Sequence, residues 1–351
     1  MITKRIEYID AMRGFTMLLV VYSHILFFGY AGSFIANEVV SFNRLFVAFR
    51  MPLFFFISGF ILFKKNIIWD FSTCCGFLKK KAKIQLIPTF FFLAIYIFIF
   101  DFSIYDSVVD PFKIGYWFTL ALFEYFVLYI LFRYVCHKLG KEDGSDICLL
   151  IYAFLVLGVT PTGLMLIHCY DPLICNVLGV SQMKYFLFFA LGTLVRKHFD
   201  KVQKMLDNGK VTALFILLFF LIVFVVLHYG YEKKIFFKDL YFIVSGAMGL
   251  MLVFAFFRKY QNSFTQNTKL GRILQYIGRR TLDIYLLHYF FLPRNLKSFG
   301  QFFAENTNPT LEFVVSMAFA IVVVAICLLM SNIIRISPIL GHYLFGVRLE
   351  K

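Results

Sequence analysis

Apolar runs about as long as a bilayer is thick dominate this sequence and leave few folds open to it. A helix needs ~20 predominantly apolar residues to cross the hydrocarbon core of a membrane, and such runs recur along the whole chain. Hydrophobic residues make up 61% of the 351 positions, and 49 residues are phenylalanine. A soluble protein of this length could not bury that much apolar surface in its cores, so lipid must be its solvent. The sequence therefore predicts an all-α, polytopic integral membrane protein.

Hydropathy predicts about ten transmembrane helices, all within a single transmembrane domain over residues 1–351. The segments between them are too short to fold as separate soluble domains. The predicted spans lie near 12–30, 45–63, 84–100, 116–135, 147–167, 180–195, 211–230, 239–257, 281–299 and 311–334.

The positive charge follows the pattern expected of a membrane protein. A net charge of +15 could suggest nucleic acid, but the bias of lysine and arginine toward cytoplasmic loops explains it more simply. With the N-terminus inside, about three quarters of the 35 basic residues fall in cytoplasmic segments. Both termini are predicted to be cytoplasmic, in a multi-pass protein of the inner or plasma membrane that binds lipid and no nucleic acid.

Arg13 and His24 form the most informative polar pair. They are eleven residues apart, which at ~100° per residue returns to within about 20° of the same helix face. His24 lies roughly 16 Å deeper along the helix than Arg13. A neutral imidazole suits the removal of a proton from an alcohol. The alternative is a histidine that only joins two helices by a hydrogen bond.

Asp10 is spaced i, i+3 from Arg13 at the start of the same helix. It could form a local ion pair and cap, which contributes little if it is solvated. It could instead orient Arg13, whose guanidinium would then face an anionic ligand.

Glu124 and His288 are two further polar residues within predicted spans. An ionised carboxylate facing lipid at the depth of Glu124 would be costly, so it should face a polar interior or carry a proton. Arg50, Lys184 and His24 are its candidate partners. His288 shares a helix face with Thr281 and could be a second acid or base, or could only join two helices.

Two features between the spans stay open. A block of lysines at 79–83 precedes the third span and could contact lipid headgroups or a polyanionic cytoplasmic ligand. Cys169 and Cys175 share a predicted outer loop, and could form a disulfide or remain free. No Cys or His spacing indicates a metal site, so no metal is expected.

Several segments match motifs that occur together in one family of membrane proteins. Arg13 through His24 matches an R-X10-H motif, and the lysines before the third span stand where that family commonly has arginines. The other similar segments are Met51–Phe60 (a PLFFxxSGF segment), the stretch ending at Pro88 (a basic motif), Phe188–Gly192 (an FFxxG helix) and Gly278–His288 (a late helix). By these motifs the sequence resembles the integral-membrane acyltransferase-3 family.

The resemblance implies transfer of an acyl group, usually acetyl from acetyl-CoA, across the membrane to the hydroxyl of an extracytoplasmic sugar or glycan. His24 would act as general base or as a transient acyl carrier, with Asp10 orienting Arg13. Glu124 and His288 would handle protons or bind the acceptor. Arg13, Lys80 and Lys83 would bind the CoA phosphates at the cytoplasmic side.

Other functions are also consistent with these residues. A transporter or flippase of a glycan or lipid-linked precursor would also carry midplane charges and basic inner loops. A non-enzymatic assembly factor would leave the ordered polar stripe unexplained. Within the enzyme class an O-succinyltransferase remains open, since no residue here reports the size of the acyl group. The sequence is also consistent with a homo-oligomer.

Overall fold

The helices account for all regular structure in the part of the chain that is described. The structure is a computed structural model that describes residues 6–30, 34, 41–65, 67–141, 146–166, 169–229 and 235–347, and no strand occurs among them. The α-helices are α1 Glu7–His24, α2 Asn43–Leu62, α3 Phe71–Phe100, α4 Ile104–Val109, α5 Trp117–Lys138, α6 Asp146–Gly158, α7 Pro161–Leu166, α8 Pro172–Val177, α9 Phe186–Lys197, α10 Phe199–Leu206, α11 Gly209–Tyr229, α12 Ile235–Lys259, α13 Lys269–Arg279, α14 Thr281–Phe291, α15 Lys297–Glu305, α16 Pro309–Ile334 and α17 Pro338–Phe345. A π-helical turn covers Ile25–Gly29, and 3-10 turns cover Lys113–Gly115, Val180–Tyr185 and Gln261–Phe264.

Within these residues six helical segments are long and apolar enough to cross a membrane. A seventh is reached if the pair Phe199–Leu206 and Gly209–Ile222, bent by 79°, counts as one span. The six are Glu7–Gly29, Asn43–Leu62, Phe71–Phe100, Trp117–Lys138, Leu240–Lys259 and Pro309–Ile334.

Some predicted spans are shorter as helices than the hydropathy indicated. The spans predicted near 147–167, 180–195 and 281–299 correspond to α6, α9 and α14, of 13, 12 and 11 residues. A helix of 13 residues is ~20 Å long, less than the ~30 Å of a hydrocarbon core. Residues 167 and 230 of two predicted spans, and both chain ends, lie outside the described residues. The count of ten and the orientation of the termini stay predictions.

The chain divides into two compact units, and α2 passes from the first to the second after Phe54. The first unit comprises Met1–Phe54 and Asp200–Ile333, and the second comprises Phe55–Phe199 and Ile334–Lys351.

The first unit is organised around close packing of α1 on α13. A Cβ atom at Gly14 would lie 2.0 Å from the carbonyl oxygen of Leu274, and one at Gly278 would lie 1.9 Å from that of Asp10. Small residues let helix backbones approach in this way. Because this contact fixes α1, it also positions the side chains further along that helix.

The second unit packs α3 against α5, and α9 against the C-terminal part of α2. A Cβ atom at Gly59 would meet the carbonyl oxygen of Phe189 at 2.0 Å, so the glycine of the SGF segment is also a contact residue. Asp70 caps α3 by accepting from the Thr73 N–H at 2.8 Å. Cys169 and Cys175, both in this unit, are free thiols.

Candidate active site

The two histidines predicted to lie within the membrane are neighbours in the first unit. His24 is the last residue of α1, and His288 lies in the last turn of α14. His24 Nδ1 and His288 Nε2 are 2.8 Å apart, and the two rings are stacked with an interplanar angle of 10°. His288 is fully buried, whereas His24 is partly exposed. The pair therefore combines a fully buried ring with one that belongs to a partly exposed residue.

The hydrogen bonds assign a tautomer to each ring. His288 Nδ1 lies 2.8 Å from the carbonyl oxygen of Tyr285 and 3.0 Å from that of Ile284. Carbonyl oxygens only accept, so His288 Nδ1 carries the proton, and in the neutral ring its Nε2 accepts. His24 then donates from Nδ1, which leaves a lone pair on His24 Nε2. A histidine whose other nitrogen is held by a partner in this way is oriented and fixed in one tautomer.

Aromatic side chains lie close to Nε2 of His24. The Tyr289 hydroxyl lies 3.5 Å from His24 Nε2, and the centroids of their rings are 5.2 Å apart. The partly exposed ring of Phe28 is 5.7 Å from the imidazole. His24 is followed directly by the π-helical turn Ile25–Gly29, a type of turn that often occurs at functional sites.

Arg13 and His24 both contact α14, and the Arg13 contact lies nearer the N-terminal ends of α1 and α14. Arg13 Nη2 donates to Thr281 Oγ1 at 2.8 Å, while His24 contacts His288 further along α14. The two helices therefore run in the same direction here, and the polar stripe of α1 faces the stripe predicted on α14. Asp10 is buried, and its carbonyl oxygen packs against Gly278. Its role in orienting Arg13 stays a prediction.

A buried carboxylate that the sequence reading did not single out lies in the same unit. Glu312, in the first turn of α16, is 2% exposed. It accepts from Tyr22 at 3.0 Å, from Ser41 at 2.8 Å and from Ser316 at 3.1 Å. Its position at the edge of an apolar run looks like a helix boundary in sequence, and only the fold shows that it is buried.

Arg50 is the second residue missed as a site candidate. It lies within α2, and its Nη1 donates to Asn43 Oδ1 at 3.0 Å. An arginine within an apolar span was the signal, but the sequence reading considered it only as a partner for Glu124.

Glu124 lies in the second unit, on α5. Its Oε2 atom is buried and has no hydrogen-bond partner among the described residues. The cation that acts on it is Lys113, which was not among its predicted partners. A buried carboxylate oxygen of this kind can accept a hydrogen bond from a ligand hydroxyl.

Lys113 lies in a tightly held turn before α5. Its ammonium donates to the carbonyl oxygens of Val108, at 2.5 Å, and Asn176, at 2.8 Å. Burial lowers the pKa of Lys113, while the carboxylates of Asp110 and Glu124 act in the opposite direction. Lys113 and Ile114 both adopt left-handed backbone angles, with φ of 49° and 52°, which is unusual for a β-branched residue.

Lys80 and Lys83 also belong to the second unit, and they lie within a helix rather than before it as the sequence predicted. The lysine block was expected before a span near 84–100, but it lies inside α3, because the Asp70 cap starts the helix at Phe71. Both side chains are exposed, and Lys83 Nζ lies 5.4 Å from the centroid of the Tyr343 ring of α17.

Comparison with known families gives one clear match. A family model described as an acyltransferase domain, Acyl_transf_3, matches residues 6–330. Comparisons with curated proteins and with solved structures give no significant match. The matched range includes both histidines, Arg13, Arg50, Glu124 and the α3 lysines. The chain therefore belongs to the acyltransferase-3 family, as a multi-pass membrane acyltransferase.

Proposed function

We propose that the protein is an O-acyltransferase of the cell's inner or plasma membrane. It would move an acetyl group from acetyl-CoA, on the cytoplasmic side, to a hydroxyl of an extracytoplasmic sugar or glycan. The observation that carries this proposal is the hydrogen-bonded His24–His288 pair, which leaves a lone pair on the partly exposed ring. This arrangement supports a role for His24 as general base, with His288 as the residue that orients it.

In the proposed reaction His24 Nε2 removes the proton from the acceptor hydroxyl as its oxygen attacks the thioester carbonyl. An ester C–O bond forms and the C–S bond breaks. The departing thiolate takes the proton from His24, which regenerates the neutral ring and releases free CoA. His288 accepts the His24 Nδ1–H throughout and disperses the charge of the transient imidazolium.

Positive charge supports binding of the donor. CoA carries several phosphate charges, and Arg13, Lys80 and Lys83 supply cations to which they can bind. Arginine offers a planar fork that matches a phosphate, whereas lysine acts as a point charge. Glu124 would accept a hydrogen bond from the acceptor through its buried oxygen.

The direct test replaces His24 by alanine. With [14C]acetyl-CoA and vesicles made from membranes that contain the acceptor glycans, we expect label transfer to fall by at least about 100-fold, the lower range for loss of a general base. Insertion of the variant is checked by its yield and melting temperature in detergent. Full transfer by this variant would exclude His24 from the chemistry.

A second experiment separates direct transfer from an acyl-histidine. Purified protein is incubated with [14C]acetyl-CoA alone and quenched, and label on the protein is counted. General-base catalysis predicts no bound label, whereas an acyl-histidine predicts label that the His24→Ala variant lacks. A transporter would show neither transfer nor stabilisation by acetyl-CoA. Succinyl-CoA in the same assay tests donor choice.

A further inference from the structure

A cluster of aromatic rings lies at the start of α5, in the second unit. The rings of Trp117 and Tyr185 are stacked, with centroids 5.8 Å apart and an interplanar angle of 29°. Phe112 meets Trp117 edge-on at 6.2 Å, and Phe55 of α2 packs against both stacked rings. Phe112 is 53% exposed, and Trp117 and Tyr185 are partly exposed. Part of this aromatic surface is therefore not covered by the chain itself.

The turn directly before the cluster has a strained backbone. Lys113 and Ile114 both have left-handed φ angles, of 49° and 52°. Asp110 holds the turn by accepting from the Ile114 N–H at 2.7 Å, and the Lys113 ammonium donates to the Asn176 carbonyl oxygen at 2.8 Å. Strain of this kind persists only where surrounding contacts impose it, and it is concentrated at functional sites. The chain therefore maintains an unfavourable turn that sets where Trp117 begins its helix.

Two segments predicted to be extracytoplasmic meet at this turn. The distribution of charge predicts that residues 101–115 and 168–179 are outer loops. In the fold, α4 of the first segment packs against α8 of the second, and the contact of Lys113 with Asn176 joins the same two segments. The aromatic cluster thus lies beside the segments that an extracytoplasmic acceptor would meet first.

A carboxylate lies on the same face of α5 as Trp117. Glu124 follows it by seven residues, which is within about 20° around the helix and roughly 10 Å along it. The buried Oε2 atom of Glu124 has no hydrogen-bond partner among the described residues, and a ligand hydroxyl could supply one. An aromatic belt at a membrane interface would also contain tryptophan and tyrosine, but it would not need such a carboxylate. The combination fits a ligand that has both an apolar face and hydroxyl groups.

We propose that the aromatic cluster of Phe112, Trp117 and Tyr185 binds a sugar ring of the acceptor glycan. The inference rests on the proposed function and names acceptor-binding residues that it leaves unassigned. A pyranose carries C–H groups on its faces and hydroxyls around its edge. The C–H groups pack on the electron-rich face of an aromatic ring, and an edge hydroxyl donates to Glu124. The sugar that stacks here and the hydroxyl that is acylated can belong to different residues of one glycan.

Tryptophan and tyrosine suit this role because their rings are large and rigid. Each ring has only two rotatable side-chain bonds, so it loses little conformational entropy when a ligand binds. The packing of Trp117 against Tyr185 and Phe55 restricts the ring further before any ligand arrives.

The kinetic test uses purified protein, [14C]acetyl-CoA and, as the varied acceptor, oligosaccharides released by mild acid from the acceptor membranes. We expect Trp117→Ala to raise KM for the oligosaccharides about 10-fold, the effect of losing one ring contact. KM for acetyl-CoA and kcat should stay near wild type, because only acceptor binding is lost. Trp117→Phe keeps a ring and should recover part of the affinity. Tyr105→Ala is the matched control, since Tyr105 is 66% exposed in the same predicted outer segment.

Tryptophan emission measures glycan binding without any transfer. The sequence has two tryptophans, and Trp69 is 3% exposed, so the Trp69→Phe variant leaves Trp117 as the reporter. Added oligosaccharides should change its emission in a saturable way. In the same background Tyr185→Ala should raise Kd about 10-fold.

Unchanged KM for the oligosaccharides in a folded Trp117→Ala variant overturns the inference. So does a rise that Tyr105→Ala shares, or an equal rise in KM for acetyl-CoA, because either would show a general effect of the substitution. Unchanged Trp117 emission at concentrations that saturate transfer overturns it as well. Melting temperatures in detergent identify variants that do not fold. If Trp117→Ala is one of them, wild-type KM for the oligosaccharides in both Trp117→Phe and Tyr185→Ala overturns the inference.

The binding site and the proposed function can fail separately. Failure of the wild type to transfer label in the vesicle assay refutes the proposed function. A saturable change in Trp117 emission in that same preparation would still support the glycan site.

Discussion

In the tautomer assigned by its contacts with two carbonyl oxygens, His288 accepts a hydrogen bond from His24 Nδ1. We expect His288→Phe, which keeps an aromatic ring but no acceptor, to lower kcat by about 10–100-fold, by analogy with partners that orient metal-ligating histidines. His288→Gln offers an amide oxygen to the His24 Nδ1–H and should retain more activity than the phenylalanine variant. The measurement is kcat and KM for acetyl-CoA. Equal losses in two folded variants would show that hydrogen-bond acceptance is not the role of His288.

Residues that share a helix face could be found from the sequence, but their partners could not. Periodicity places Arg13 with His24, and Thr281 with His288, because these relations lie within one helix. The contact between His24 and His288 joins residues 264 positions apart and depends on how α1 packs near α14. Glu312 was missed for the same reason, because its partners Tyr22 and Ser41 lie on distant segments of the chain.

The contact of α1 with α13 leaves no room for a side chain at its crossing point. We expect Gly278→Ala to lower the melting temperature, because its Cβ atom would overlap the Asp10 carbonyl oxygen, and overpacking of this kind costs about 1–3 kcal/mol. Gly76→Ala in α3 is the matched control, since nothing lies within 4 Å of its Cβ position, and replacing an exposed helical glycine stabilises. A Gly278→Ala variant as stable as the control would contradict this packing. Activity should fall together with stability, because α1 carries His24.

Helix type was predictable along most of the chain, and helix ends were not. Hydropathy counts apolar residues and does not detect where a helix stops, so α14 was predicted to continue to residue 299 although it ends at Phe291. At α3 the difference has the opposite sign, because a polar cap makes the helix longer than the predicted span. Asp70 starts α3 well before its apolar part, so the lysine block became helical.

At the scale of the whole molecule, the orientation of the termini is predicted from the distribution of charge, and the fold does not test it. A net charge of +15 with a strong bias between alternate loops predicts that both termini are cytoplasmic. Reporter fusions at each end would test this, because they show on which side of the membrane a terminus lies. The orientation bears on the proposed function, since an enzyme that takes acetyl-CoA from the cytoplasm needs its basic face on that side. A terminus found outside would contradict the orientation and, with it, the assignment of Lys80 and Lys83 to the donor.

The α3 lysines provide the corresponding functional prediction. Lys80→Gln combined with Lys83→Gln should raise KM for acetyl-CoA several-fold and leave kcat nearly unchanged, because exposed cations attract the phosphates and do not touch the reacting atoms. Added salt should weaken donor binding by the wild type more than by the variant, since screening reduces a charge attraction that the variant has already lost. Lys64→Gln with Lys65→Gln removes two equally exposed charges and is the matched control. If both pairs raise KM alike, the attraction comes from net charge rather than from a site on α3. If the α3 pair lowers kcat instead, these lysines influence the chemical step, and the division of roles between donor binding and the histidine pair is wrong.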